Sequence, residues 1–297
     1  MEASPEALQR ALRNAVLHAD PRLSRFDPLA RILYFDDFDE GYNGWVGLIG
    51  NYEGSLDTML PGYAQLMQPM LSTVTHWDTG SHGAFDGTYC LKTATRPIKG
   101  QQNVTVKRVT FRDLSRIQFE CYFCFKPEAN EMQLSELDVR SIGVLFDLQH
   151  GEGGPLRVMP HIRYLNALDG VAQQKWQYKH RRQPFNAIGG SGKTVSHYHL
   201  APEGWDDVPG GAQLLCYNEV PTKINWHYLK IGFDLASMSF TDLRCNDRVF
   251  DVGAMQPMTM PAMSNLWCMQ NAVLFVETDT DKRAFFYVDS VLMSGEF

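Results

Sequence analysis

Residues 225–252, NWHYLKIGFDLASMSFTDLRCNDRVFDV, decide how the chain is read. Leu229, Ile231, Phe233 and Leu235 alternate with Tyr228, Lys230, Gly232 and Asp234, the period-2 pattern of a strand with one buried face. Residues 236–239 break the pattern. A second run, 240–245, meets a third, 248–252, across Asn246-Asp247, two residues that tolerate the positive φ of a tight hairpin.

The same grammar extends in both directions. Strand-like runs fall at 32–38, 44–50, 89–94, 103–111, 116–125, 141–149, 157–165, 174–179, 213–218, 272–277 and 284–293, with glycine-rich turn clusters between them. No long helical pattern separates the strands, which argues against a parallel α/β sheet. Many short strands with few crossovers predict an all-β fold of two packed antiparallel sheets. At the amino terminus, Ser4-Pro5 sets a helix start and Leu8, Leu12 and Val16 recur at helical spacing until Asp20-Pro21. The expectation is one domain over 1–297, with a helix over 1–20 packed on the domain's outside or on a partner chain, the latter making a homo-oligomer.

Three places carry a resemblance. Trp226-His227 with Leu229-Lys230, then Phe233-Asp234-Leu235 and a short strand with a polar turn, resemble the late strands of concanavalin A-like lectin/glucanase jelly rolls. Residues 33–38, LYFDDF, followed by Trp45, resemble the opening strand of such domains, and 286–291, FYVDSV, their closing strand. The resemblance spans residues 30–294 and implies a jelly-roll β-sandwich. It also implies a structural Ca2+ held by Asp36, Asp37 and Asp289, where first and last strands adjoin; oxygen ligands suit that ion. Asp39 belongs to the same group, and the alternative is that these aspartates cap turns.

Composition bounds the function. Hydrophobic residues make up 44% of 297 residues, ample for a core, and 34 acidic against 27 basic residues give a net charge of −7. That balance argues against a nucleic-acid surface, which needs clustered Lys and Arg. No run approaches the roughly 20 apolar residues that span a bilayer, and no secretory signal is visible, so the six cysteines read as buried thiols of a cytoplasmic protein.

Several motifs are decoys. Residues 187–194, AIGGSGKT, fit a relaxed phosphate-loop pattern but lack the strand before and helix after that such a loop needs, so no nucleotide cofactor is expected. Cys121 and Cys124 have metal-motif spacing but, three apart in a strand, point to opposite faces. Glu136-Leu137-Asp138 matches half of the glucanase Glu-x-Asp-x-x-Glu signature and lacks its second glutamate, so the two-carboxylate mechanism is not transferred.

Strand parity supplies the candidate site. One face gathers Asp147, Gln149, His161, Arg163, Trp176, Tyr178 and His180, with Tyr228 and Lys230 from the late strand. Flat aromatics stack on the C–H faces of sugars and the polar neighbours read hydroxyls, so a mono- or oligosaccharide or glycoside is the expected ligand; the alternative is simply the wet face of a sandwich. The function expected is a glycoside hydrolase or lyase, with Asp147, His161 and His180 transferring protons, Arg163 and Lys230 steadying charge, and Trp176 and Tyr178 as platforms. The alternative is a non-catalytic carbohydrate-binding or subunit-assembly module. His150, His161, His180, His197, His199 and His227 crowd the middle third and suit acid–base work or metal ligation. Residues 186–222 read as a long loop in which Trp205 closes over a ligand or anchors to the core.

Overall fold

The structure, a computed structural model, describes residues 4–47, 66–76, 80–128, 135–149, 156–180, 186–188, 194–196, 203–215, 224–262 and 268–297. In chain order these form α1 (Pro5–Ala19), β1 (Arg31–Asp36), β2 (Trp45–Gly47), β3 (Met70–Ser72), β4 (Val74–His76), β5 (Ser81–Gly83), β6 (Cys90–Ala94), β7 (Gln102–Val109) and β8 (Arg116–Pro127). A 3-10 turn (Glu136–Asp138) leads into β9 (Val139–Gln149), β10 (Leu156–Met159), β11 (His161–Leu168), β12 (Val171–Lys179), β13 (Asn186–Ile188), β14 (Thr194–Ser196) and β15 (Trp205–Ala212). The chain continues through β16 (His227–Asp234), β17 (Ser239–Cys245), β18 (Arg248–Val249), β19 (Met258–Pro261), β20 (Met269–Thr278) and β21 (Ala284–Glu296).

Two large antiparallel sheets form the sandwich. One runs β18-β17-β16-β8-β21-β6-β3, with β1 also on β21; the other runs β15-β12-β11-β9-β20-β7-β2, with β10 beside β9 and β19 beside β10. The expected hairpin is there: β16 pairs β17, and Asn246 turns into β18 at φ 55°. Alternation decides what lies between the sheets. Ile117, Phe119, Cys121 and Phe123 of β8 and Leu229, Ile231 and Phe233 of β16 meet Ile142, Val144, Phe146 and Leu148 of β9. Each such side chain, fully buried, contributes roughly 1.5–3 kcal/mol. Cys121 lies in this core and Cys124 in a separate apolar cluster on the other side of the strand.

Ser4 caps α1, its Oγ accepting from the Ala7 N–H at 3.2 Å, with Pro5 opening the helix. The stripe expected to pack does not pack on this chain: Leu8, Leu12 and Val16 are 65%, 66% and 55% exposed, and it is Leu17 that is buried. The stretch after the helix is a strap over the outer face of the eight-stranded sheet. Phe26 packs edge-on against Tyr122 and Phe35. The Asp27 N–H donates to Glu120 at 3.0 Å, and the Leu29 N–H to Ser294 Oγ at 2.9 Å.

Candidate functional site on the outer face of the nine-stranded sheet

Because Ile142 and its neighbours in β9 point into the core, Leu145, Asp147 and Gln149 point away from it. Register carries this face across the sheet: Asp207, Gln177, Arg163, Gly143, Phe275 and Val104 stand in one row. In the next, Trp205 pairs with Lys179, and His161 with Leu145, Val273 and Val106 in turn. The sheet curls around this face. The rings of Trp205 on β15 and Phe275 on β20 are 6.3 Å apart although three strands separate them. On a flat sheet four spacings of about 4.8 Å would part their backbones by about 19 Å.

The hollow so made has two halves. Under β9, β20 and β7 it is filled by the chain itself: Val104, Val106, Leu145 and Val273 pack with Phe275 and with Met159, Met258 and Met260. Under β11, β12 and β15 it holds cations around an indole. The Arg163 guanidinium lies 4.1 Å from the Trp205 ring centre, within cation–π range, and donates through Nε and Nη2 to Gln177 Oε1 at 2.9 and 2.8 Å. Lys179 Nζ is 5.4 Å from the same ring, and His161 meets it edge-on at 6.0 Å. His161 Nδ1 is 2.7 Å from the Met159 carbonyl oxygen. Gln177 Nε2 donates to Asp207 at 2.7 Å, and Lys175 to the same carboxylate at 2.8 Å.

Burial shapes the charges. Lys179 is 1% exposed, and burial first, then the neighbouring Arg163, brings its pKa down to about 7. Burial likewise lowers Arg163 to about 10. A lysine at that pKa exchanges a proton near neutrality, which an ordinary surface lysine does not.

Asp147, Gln149, His161 and Arg163 lie on the expected face. Trp176 and Tyr178 do not: they share rows with Tyr164 and Ile162 on the inner face. Trp176 is fully buried between Tyr164, Phe123 and Phe250, its Nε1 donating to Gln213 at 2.8 Å. The sandwich needs the larger apolar surface inside, so Gln177 and Lys179 face out, and the indole in the hollow is that of Trp205. Residues 205–212, expected within a loop, are strand β15, which among the described residues pairs on one side only, the edge position where a proline such as Pro209 is tolerated.

Tyr228 and Lys230 belong to the other sheet altogether. Tyr228 Oη donates to Glu120 at 2.5 Å, and Lys230 Nζ contacts Asp27 and Asp242, both at 3.1 Å. Asp147 faces the hollow but is gripped by Arg157 through two 2.5 Å bonds, a bidentate pair that occupies both of its oxygens. His180 sits at the β12–β15 edge against Asp206 and stacks on Tyr178.

The carboxylates expected at calcium have other partners. Asp36 accepts from Trp45 Nε1 at 2.8 Å and from Lys107 Nζ at 2.6 Å, an ammonium standing where a metal would. Asp37 pairs with Arg22 at 3.2 Å, Asp39 accepts from the Thr88 and Tyr89 N–H groups, and Asp289 from those of Asp86 and Ser290. Turn-capping describes Asp39 and Asp289, and the set does not fit Ca2+. No group of three or more His, Cys, Asp or Glu side chains among the described residues is arranged to hold a metal. His150, His197, His199 and the glycine run at 189–193 lie outside the described residues.

These features define a two-sheet antiparallel β-sandwich of jelly-roll type with a cation- and indole-lined hollow on one outer face. The chain belongs to the family described as a domain of unknown function (DUF6772), whose model matches residues 13–297. No curated protein matches it. Among solved structures it is similar to the Emp47p carbohydrate recognition domain, at 7% identity and TM-score 0.41 over 92% of this chain and 100% of that one. It is also similar to a Bacillus licheniformis β-glucanase (11%, TM-score 0.37, 89% and 98%) and to an endo-β-1,4-glucuronan lyase from Trichoderma reesei (11%, TM-score 0.38, 90% and 96%).

Proposed function

We propose that the β11–β12–β15 half of the hollow binds a saccharide and that the protein is a carbohydrate-active enzyme, a hydrolase or lyase. The observation that carries this is the convergence of Arg163, Lys179 and His161 on the indole of Trp205. An indole stacks on the apolar face of a sugar ring, Arg163 and Gln177 offer donors and an acceptor for its substituents, and Lys179 exchanges a proton near neutral pH.

β-Elimination suits this set best. It needs a base to take the C–H proton beside a uronate carboxylate, a cation to steady the enolate that forms, and an acid to protonate the departing glycosidic oxygen. Lys179 serves as the base, Arg163 as the cation and His161 as the acid. Asp147, locked by Arg157, takes no part.

A non-catalytic sugar-binding module is the second reading, favoured by the burial of Lys179 and by the methionine-rich half of the hollow. The two separate on Lys179→Met and Trp205→Ala, assayed against a panel of neutral and uronate-containing oligosaccharides. For an enzyme, Lys179→Met removes turnover, followed by the ultraviolet absorbance of the unsaturated product or by reducing ends, while affinity stays within a few-fold. For a binding module Trp205→Ala removes affinity, and the parent protein turns nothing over. Parent protein that neither binds nor cleaves any of the panel refutes both.

A further inference from the structure

A groove that binds the interior of a polysaccharide lets the chain in at one side and out at the other, so its whole path over the sheet must stay uncovered. The hollow is closed in two directions. The row that begins with Asp207, Gln177 and Arg163 continues through Gly143 to Phe275 and Val104. The Phe275 ring lies across the glycine: a Cβ on Gly143 would stand 2.4 Å from its Cζ and 2.7 Å from its Cε1. The ring thus fills the row next to Arg163, and its centre comes within 6.3 Å of that of Trp205. Beyond it Val104, Val106 and Val273 face away from the core, yet none is more than 6% exposed. Leu66 packs on this cluster, and Gln68 Oε1 accepts from the Gly47 N–H of β2 at 3.1 Å, which ties that segment to the sheet's far edge.

The second closure lies along the strands. Val158 of β10 faces the core, so Arg157 and Met159 face the hollow, and β19 lays Met258 opposite Met159 and Met260 opposite Arg157. The three methionines are buried against Leu145 and Phe275, flexible thioethers that fill an irregular gap. Arg157 beside them donates to both oxygens of Asp147. Sugar hydroxyls need polar partners, and burying one without them is costly. In these two directions a sugar would meet hydrocarbon, sulfur and a closed ion pair. The polar groups of the site lie the other way, where Gln177 and Lys175 of β12 reach the exposed Asp207 of edge strand β15.

We propose that the hollow takes the end of a saccharide chain, its last one or two residues, and not the interior of a polymer, with Phe275 as the residue that sets the limit. The proposal rests on the saccharide reading of the hollow and adds to it which part of a glycan is recognised. The remainder of the chain leaves over β15, away from the Phe275 ring and the methionines.

The test is a length series. Isothermal titration calorimetry measures the affinity of oligogalacturonates and cello-oligosaccharides of two to six residues, in Lys179→Met protein where the parent turns the probe over. A site for a chain end gains nothing once its one or two positions are filled, whereas an open groove gains both contacts and binding registers with each added residue. The expected affinities therefore agree within threefold from di- to hexasaccharide. Phe275→Ala, or Phe275→Leu where the alanine variant does not fold, should break that plateau and favour the tetrasaccharide over the disaccharide by threefold or more. An affinity that rises tenfold or more between di- and hexasaccharide in protein with Phe275 intact overturns the proposal and leaves the saccharide reading standing. A plateau that persists in a folded Phe275 variant removes that residue as the limit. Protein that binds no member of either series at any length refutes the saccharide reading, and this proposal with it.

Discussion

Lys179 is a basic side chain on a strand whose own spacing does not say which way it points. Its folded pKa of about 7 against about 10.4 in an unfolded chain has a definite consequence. Between those values the unfolded state holds the proton and the folded state does not, so stability rises with pH across that window. The slope reaches up to about 1.4 kcal/mol per pH unit. Urea denaturation at intervals from about pH 7 to 10 should show Lys179→Met losing that slope and gaining stability at the acid end; parallel profiles would contradict a buried lysine. His227 acts at lower pH. Burial lowers it to about 4, with Asn246 Nδ2 3.1 Å from its Nδ1. The folded state stays neutral where the unfolded histidine charges, so stability falls as pH drops from about 6.5 toward 4. His227→Gln should flatten that limb, and an unchanged acid limb would rule the histidine out as its source. In QKWQYKH the aromatic and polar residues alternate so evenly that either parity gives a plausible outer face. Tertiary demand for Trp176 in the core decided it, and that demand is invisible within the strand.

At the level of elements, parity served well wherever one face was plainly apolar. In β9 the alternation of Ile142, Val144, Phe146 and Leu148 placed Asp147 and Gln149 correctly, and register then carried His161 and Arg163 beside them. It failed for β15, because Pro209, Gly210 and Gly211 are loop formers everywhere except on an edge. With that strand went Trp205, foreseen only as a loop residue. Gly143 shows how closely the face is fitted. A Cβ there would lie 2.4 Å from Phe275 Cζ and 2.5 Å from the Ile162 carbonyl oxygen, and one of these is backbone that cannot withdraw. Gly143→Val should therefore cost about 1–3 kcal/mol in urea or thermal unfolding. Because Phe275 and Arg163 flank the glycine in register, it should also weaken any ligand of the hollow. A neutral effect on stability would mean that β9 and β20 are less closely apposed than their pairing requires.

Over the whole molecule, what the sequence could not disclose is which strands become neighbours. β21 is the clearest case: one edge follows β8 along nearly its full length, while the other is divided between β6 and β1. The pairing of first and last strands followed from the resemblance; the place of β8 beside both β16 and β21 did not, because sequence separation carries no signal of pairing. The same long-range closure fixes the strap, so its weight can be compared with that of the helix before it. Every described side chain among residues 1–12 is exposed in this chain, and deleting that segment should change stability by no more than about 0.5 kcal/mol. Deleting residues 1–30 uncovers the surface under Phe26, worth roughly 1.5–3 kcal/mol. It also takes the Asp27 and Leu29 N–H donors from Glu120 and Ser294 and an ion-pair partner from Lys230, each such bond contributing about 1 kcal/mol. The expected loss is about 4.5–6 kcal/mol, and Tyr228→Phe, which removes one more bond to Glu120, should be milder in the full-length chain. Equal unfolding midpoints for the two truncations would show that the strap merely lies on the sheet. A longer truncation that unfolds early, beside a shorter one that matches the parent, would show that it holds the sheet's outer face closed.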